Sequence, residues 1–180
     1  MTAEPVAPDA ALPTLIPETP ADADAVAALI DRAFGPGRYA KAAERLREGN
    51  HPLEDICFVA HAGGAVVGCV RMWPIRIGDT SAVLLGPLAV EGAWRSLGLG
   101  AALIRQACEA AAAAGHALVL LVGDEPYYGP LGFSVAPRTV TLPGPVDPAR
   151  VLVQELAPGA GTALSGQVRP HPAPSSPTAT

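Results

Sequence analysis

Apolar and polar residues alternate along this chain with periods that predict both strands and helices. Two alternating segments flank Gly63-Gly64, an arrangement typical of a β-hairpin. Two further segments are apolar along almost their whole length, so we expect strands that are covered on both faces. The predicted strands comprise residues 12–17, 56–61, 65–77, 81–90, 117–122, 133–136 and 150–156.

Helices are predicted where apolar residues recur every three or four positions. The first begins after a capping residue, either Thr19 or Asp22, and continues to Phe34. The strongest helical segment is 99–114, which presents one apolar face. The remaining helical segments are 39–48, which is polar, and the turn over 126–131. The element order, β-α-α-β-β-β-α-β-α-β-β, predicts an α/β (α+β) fold with a mixed central β-sheet and helices on its faces.

The composition predicts one folded domain between two unstructured ends. The 180 residues are about the length of one domain, and 49% of them are hydrophobic, enough to build a core. The chain has 20 prolines, and its two ends contain a large share of them. We therefore expect a disordered N-terminal lead over 1–11, one folded domain over 12–157 and a flexible, Pro/Ser-rich tail over 158–180. Residues 1–11 and 166–180 are accordingly predicted to be dispensable for folding and for cofactor binding.

Charge and cysteine content exclude several classes of partner and site. The formal net charge is −5, so the basic surface of a dedicated nucleic-acid-binding protein is missing. No apolar stretch reaches the roughly 18 residues of a membrane-spanning helix, and the first residues do not form a secretory signal. The three cysteines contain no Cys-x-x-Cys pair, which argues against a disulfide framework and a zinc site. We therefore expect a cytoplasmic protein without a metal and without a nucleic-acid or membrane partner.

The segment 85–102, LGPLAVEGAWRSLGLGAA, combines the end of a predicted strand with a glycine-rich helix start. Arg95-x-x-Gly98-x-Gly100 opens the helix, and the missing Cβ atoms let a ligand approach the backbone closely. The first N–H groups of the helix then favour an anion such as a pyrophosphate. A tight turn without a ligand is the alternative interpretation. A dinucleotide fingerprint fails because Leu103 replaces its third glycine, and a P-loop fails because no Gly-Lys-Ser/Thr follows.

Residues 123–133, GDEPYYGPLGF, form a second motif at the end of a predicted strand. At this spacing the chain resembles the GCN5-related N-acetyltransferase (GNAT) superfamily. The glycine-rich helix start is similar to the acetyl-CoA loop of that family, and residues 127–133 are similar to its Phe/Tyr-Tyr-x-x-x-Gly-Phe motif. The Gly-Asp-x-x-Tyr-Tyr form most resembles a bacterial subgroup of predicted acetyltransferases. The resemblance covers nearly the whole folded unit and implies a GNAT-like mixed sheet with helices on both faces.

The resemblance implies acetyl-CoA as the cosubstrate and no metal. In this family the strand before the loop separates from its neighbour, and the pantetheine arm pairs with the exposed backbone, here residues 88–90. The pyrophosphate would lie on the N–H groups of 97–101, with Arg95 placed to approach a phosphate. The cofactor-binding residues implied in this way are Leu88, Ala89, Val90, Arg95, Leu97, Gly98, Leu99, Gly100 and Ala101.

The resemblance also implies a catalytic role for Tyr128, the second aromatic residue of the motif. A phenol near the CoA sulfur can protonate the departing thiolate, because its ordinary pKa of about 10 keeps it protonated. Packing on the cofactor or core is the alternative role for Tyr128, and packing is the role expected of Tyr127. No Asp or Glu occurs in the predicted strand 81–90, where family members often carry the general base. Glu91 follows the expected cofactor contact, where a solvated loop charge is the alternative interpretation. The remaining candidates for the base are Asp124, Glu125 and His61, or a chain of water molecules.

Together these motifs predict an acetyl-CoA-dependent N-acetyltransferase in which a primary amine attacks directly within a ternary complex. Two alternatives stay open: a non-catalytic acyl-CoA-binding or regulatory module with this fold, and an acyltransferase that uses a different acyl-CoA. The acceptor is expected to be a small-molecule or peptide amine, and the protein a monomer or homodimer. Trp73 and Trp94 either line the acceptor pocket or pack in the core.

Overall fold

The structure is a computed structural model that describes residues 11–37 and 41–172. Nearly all the predicted elements are present, and two strands are added to them near the C-terminus. The strands are β1 (Leu15–Pro17), β2 (Phe58–Ala62), β3 (Ala65–Ile77), β4 (Thr80–Val90), β5 (Leu118–Val122), β6 (Ser134–Val135), β7 (Val140–Thr141), β8 (Val151–Glu155) and β9 (Gly166–Pro170). The helices are α1 (Ala23–Phe34), α2 (Ala42–Arg45), α3 (Gly92–Arg95), α4 (Leu99–Ala113) and α5 (Glu125–Tyr128).

The strands form a mixed sheet in the order β1-β2-β3-β4-β5-β8-β6. The hairpin predicted at Gly63-Gly64 joins β2 to β3, where both glycines take the positive φ angles that a tight turn requires. All neighbours in this order are antiparallel except β4 and β5, which are parallel because α4 crosses from the end of one strand to the start of the other.

Helices cover both faces of the sheet, as predicted. Val67 of β3 packs in a core cluster with Leu103 and Ile104 of α4. Its chain neighbour Val66 packs in a different cluster, with Leu29 of α1. Since consecutive strand residues point to opposite faces, α4 and α1 lie on opposite sides of the sheet. The spacing of their buried positions is that of an amphipathic helix, which is why sequence periodicity located both.

Both predicted capping residues contribute to the start of α1. Thr19 precedes a 3-10 turn, and its backbone N–H and hydroxyl donate to the Asp22 carboxylate at 2.8 and 2.9 Å. Asp22 is the residue immediately before α1, and the hydrogen bond from the Thr19 backbone holds the pKa of its carboxyl below the ordinary value. The helix ends at Phe34, and Gly35 follows with a φ of +65°.

The prediction of a flexible tail from residue 158 is wrong for the part of it that is described. β9 pairs with the outer edge of β3 at Ile75–Ile77, and β7 joins β9 in parallel. Val168 is fully buried, and Leu164 is 3% exposed. The physical reason is that β2 pairs with only the first part of β3, so the rest of that edge is available to another strand. The folded domain therefore continues past residue 157, to at least Pro170.

Two other predictions touch residues beyond the described ranges. Of the helix expected over 39–48, the structure describes the part from residue 41, where α2 is a single turn followed by further turns up to Gly49. The predicted N-terminal lead falls almost entirely on residues 1–10, which lie outside the described residues. Among the helices of the described ranges, none combines the length and the apolar character that a bilayer crossing requires.

Candidate active site

A gap between β4 and β5 is the centre of the candidate site. The two strands pair only at Val83 with Val119 and at Leu84 with Leu120. Beyond Leu84, β4 continues along β3 while no described strand covers its other edge. The expected separation of these two strands is therefore present. Leu88 lines the cavity beside the gap, whereas Ala89 and Val90 are 2% and 8% exposed and are not among the lining residues.

Trp73 fixes β4 where the gap begins. Its indole N–H donates to the carbonyl oxygen of Gly86 at 2.6 Å, and the β3–β4 register shifts nearby, between Val70 and Met72. Trp73 is 8% exposed and packs in the core. Of its two predicted roles, the structure assigns packing, together with a hydrogen bond that holds the bend in β4.

The N-terminus of α4 lies beside the free end of β4 and presents its backbone N–H groups. Gly98 precedes the helix with a φ of +84°, and a Cβ atom placed on it would meet nothing within 4 Å. The N–H groups of the first turn have no acceptor inside the helix. Leu97 differs from the expectation, because its N–H already donates to the Trp94 carbonyl at 3.2 Å. Arg95 donates from Nε to the Val90 carbonyl at 3.0 Å, which ties the turn to the end of β4.

Gly100, the second glycine of the motif, packs closely against neighbouring side chains of the protein. A Cβ atom on Gly100 would lie 2.7 Å from the Tyr127 hydroxyl and within 3.8 Å of side-chain atoms of Val90 and Leu88. Gly100 therefore lets the first turn of α4 approach both β4 and Tyr127. Its role in close packing is independent of any ligand.

Tyr128 lines a cavity of about 570 Å³ that opens from the gap between the strands. Its ring packs edge-on against Tyr127 and Phe133, with centroid separations of 4.8 and 6.0 Å. A Cβ atom on Gly123 would collide with the ring at 2.3 Å, so this glycine makes room for Tyr128. Burial raises the pKa of the Tyr128 hydroxyl to about 12, so the phenol remains a proton donor.

The candidate general bases are dispersed. Asp124 lines the cavity and binds Arg150 through a 3.1 Å ion pair in which its side chain is 75% exposed. Glu91 pairs with Arg32 of α1. His61 lies 3.0 Å from Asp22, at the start of α1, and is not among the residues that line the cavity. Glu125 lies in the first turn of α5.

The wall of the cavity formed around α2 contains residues that the sequence analysis did not single out. Arg47 lines the cavity and binds Glu44 through a 2.8 Å ion pair, with both side chains largely buried. Lys41, immediately before α2, lines the same wall. Their only sequence signal is that two basic residues flank a short polar helix, and this pattern does not distinguish a cavity wall from a solvated surface.

The described residues contain neither a cysteine poised as a thiolate nor a cluster of metal ligands. Burial raises the pKa of Cys57 to about 11 and those of Cys69 and Cys108 to about 12, so all three are thiols at neutral pH. Within residues 11–37 and 41–172, no three His, Cys, Asp or Glu side chains are grouped so that they could hold a metal ion.

Comparisons with known proteins match this architecture. The family model described as an acetyltransferase (GNAT) domain matches residues 54–135. The uncharacterized N-acetyltransferase YhbS of Escherichia coli strain K12 is 31% identical over 121 residues, which are 66% of this chain and 72% of the relative. The crystal structure of YhbS from Escherichia coli in complex with CoA matches with a TM-score of 0.75 and 29% identity, over 91% of this chain and 93% of that one.

A second solved structure gives the same result at lower similarity. A GNAT family acetyltransferase from Brucella melitensis, in complex with acetyl-CoA, is 25% identical, with a TM-score of 0.65 over 88% of this chain and 95% of that one. The mixed sheet, the open edge of β4 and the glycine-rich start of α4 thus occur in a chain whose sequence also matches acetyltransferases. This chain belongs to the GNAT family of acetyltransferases.

Proposed function

We propose that this protein is an acetyl-CoA-dependent N-acetyltransferase that transfers an acetyl group to a primary amine within a ternary complex. The observation that carries the proposal is the placement of Tyr128. A half-buried, protonated phenol lines a cavity that opens from the gap between β4 and β5, with the N-terminus of α4 beside it. Two relatives of this fold were crystallised with CoA and with acetyl-CoA, which supports the same cosubstrate here.

The pantetheine arm is proposed to run along the open edge of β4 at Leu88, Ala89 and Val90. The pyrophosphate is proposed to lie on the first turn of α4, at Gly98 and residues 99–101, where the helix dipole and the N–H groups favour an anion. The open space above Gly98 fits this arrangement. The side chain of Arg95 already caps β4, so its expected contact with a phosphate depends on the two terminal nitrogens of the guanidinium.

In the proposed reaction the amine nitrogen attacks the thioester carbonyl carbon, and the carbon–sulfur bond breaks. The Tyr128 hydroxyl donates its proton to the sulfur as negative charge develops there. The attacking nitrogen loses one proton to solvent. The Tyr128 tyrosinate takes up a proton from solvent in turn, which regenerates the phenol. Water is the proposed acceptor of the amine proton because β4 carries no carboxylate and Arg150 holds Asp124.

A thiol-release assay with acetyl-CoA and a panel of primary amines tests the proposal. We expect free CoA to appear only when a suitable amine is present, together with the matching N-acetyl product by mass spectrometry. Tight CoA binding without turnover on any amine would favour the non-catalytic acyl-CoA-binding module. Faster turnover with a longer acyl-CoA, measured in parallel, would favour the acyltransferase with a different donor.

A further inference from the structure

The charges on the cavity wall balance one another. The charged lining residues of the described chain are Lys41, Arg47, Asp124, Asp147 and Arg150. Glu44 binds the Arg47 guanidinium at 2.8 Å, and the Asp124 carboxylate binds Arg150 at 3.1 Å. Lys41 and Asp147, one cation and one anion, are both exposed to solvent, where water screens their charges. The wall therefore presents neither a net positive nor a net negative charge to an acceptor.

Apolar residues form the wall of the cavity on the side of α2. The uncharged lining residues contributed by α1, α2 and the loop before β8 are Phe34, Ala42, Ala43, Pro145 and Val146. None of these side chains carries a hydrogen-bonding group, and Pro145 also lacks a backbone N–H. Phe34 is 38% exposed, so its ring is available for contact with a ligand. This side of the cavity suits an apolar group better than a polar one.

Contacts within the fold hold this apolar wall in place. Arg45 of α2 donates to the Pro143 carbonyl oxygen at 2.7 Å. A Cβ atom on Gly144 would lie 3.5 Å from the Cβ atom of Ala42, so the loop before β8 packs directly on α2. The buried Asn50 ties the end of α2 to β3, because its side-chain amide donates to a carbonyl oxygen on each, at 3.1 and 2.8 Å. The wall is therefore formed before any ligand binds.

We propose that the acceptor is a primary amine on an apolar body, an alkylamine or arylalkylamine, whose body packs against Phe34, Ala43 and Val146. The proposal rests on the proposed function, because it names the acceptor of the same reaction. A cavity of about 570 Å³ has the size of a small-molecule site. An apolar group gains affinity by leaving water for such a wall, whereas a second charge or a hydroxyl would lose its hydration there without a partner.

Four amines that share one carbon chain and differ only at its far end test the proposal. They are hexylamine, 6-amino-1-hexanol, hexane-1,6-diamine and 6-aminohexanoate, and thiol release from acetyl-CoA measures kcat/KM for each. We expect kcat/KM for hexylamine to exceed that of each of the others by about tenfold or more, because only its methyl end matches the wall. From propylamine to hexylamine, kcat/KM should rise by about two- to fourfold for each added methylene.

Variants of Phe34 test where the apolar body lies. Phe34→Ala removes the ring and should lower the ratio of kcat/KM for hexylamine to that for hexane-1,6-diamine by about threefold or more. Phe34→Leu keeps an apolar side chain and should retain most of this ratio. Ile16→Ala is the matched control, because Ile16 is 40% exposed on β1 and is not among the residues that line the cavity. It should leave the ratio unchanged.

Binding of the acetylated products gives a readout that does not depend on turnover. Calorimetry on the CoA-saturated protein should show N-hexylacetamide binding about tenfold or more tightly than N-(6-aminohexyl)acetamide, and this comparison decides the proposal if Phe34→Ala does not fold. Equal kcat/KM values for the four amines, a preference for a charged one, or a full ratio in folded Phe34→Ala would overturn the proposal. Absence of thiol release with every amine would count against the proposed function instead, and the calorimetric comparison would still decide the apolar site.

Discussion

Tyr127 and Tyr128 are adjacent phenols of the same short helix, but their surroundings differ. Tyr127 is 49% exposed, and its hydroxyl lies against Gly100. Tyr128 is more buried, and its pKa of about 12 keeps the proton on the hydroxyl throughout the neutral and alkaline range in which amines are nucleophilic. A proton donor must retain its proton below its pKa, so the raised value suits Tyr128 to the role of acid.

The substitution Tyr128→Phe tests this role as an acid, because it removes only the hydroxyl. Turnover is expected to fall by about 10²–10⁴-fold, the usual contribution of a positioned acid. The KM for acetyl-CoA should barely change, because the lost interaction acts mainly in the transition state. Steady-state kinetics of thiol release measure both constants.

Tyr127→Phe is the matched control and should change turnover little. Loss of CoA binding or of folding in Tyr128→Phe would make Tyr128 structural. Unchanged turnover would remove it from the mechanism and leave solvent to protonate the sulfur.

The helix α4 is flanked at each end by a glycine in the left-handed conformation. Gly98 before the helix and Gly115 after it have φ angles of +84° and +89°, and a Cβ atom on either would meet nothing within 4 Å. A valine at either position therefore meets the same left-handed strain, about 1–2 kcal/mol, without a clash. Gly98 lies beside the end of β4, whereas Gly115 lies at the opposite end of α4.

We expect Gly98→Val and Gly115→Val to lower the free energy of unfolding by similar amounts, while only Gly98→Val weakens CoA binding. The loss should exceed tenfold, or about 1.4 kcal/mol, because the added side chain occupies the approach to the first turn of α4. Chemical denaturation measures the first effect and calorimetry the second. Equal CoA affinities in the two variants would show that the pyrophosphate does not bind there.

The strand β9 was not predicted from the sequence, and it pairs with the outer edge of β3. Val168 at its centre is fully buried with Ile75 and Ile77 of β3. Val168→Ala removes two methyl groups from this cluster, so we expect a loss of about 2 kcal/mol in the free energy of unfolding. Gln167→Ala, at the exposed neighbouring position, should change it by less than about 0.5 kcal/mol. Equal stabilities of the two variants would restore the original expectation that residues 166–180 are dispensable.

The elements that sequence patterns located are those whose stability is mainly local. The capping pair Thr19 and Asp22, the glycine turn of the β2–β3 hairpin and the apolar face of α4 all depend on residues a few positions apart. The RSLGLGA loop and the YYGPLGF segment are similarly local, because a glycine-rich turn and a short helix place their groups without distant partners. Fold class and the two parts of the candidate site followed from such features.

Contacts between residues that are distant in sequence account for the features that were not predicted. The strand β9 has one buried apolar residue, Val168, and forms because β2 leaves part of the β3 edge uncovered. His61, a candidate base in sequence, lies at the start of α1, whereas Arg47, without any motif, lines the cavity. The hydrophobic periodicity of a segment indicates which of its faces is buried, but it does not indicate which element packs against that face. Local sequence patterns therefore sufficed to predict the family, the mixed sheet and the loop at α4. Which charged side chains line the cavity depends on the packing of elements that are distant in sequence.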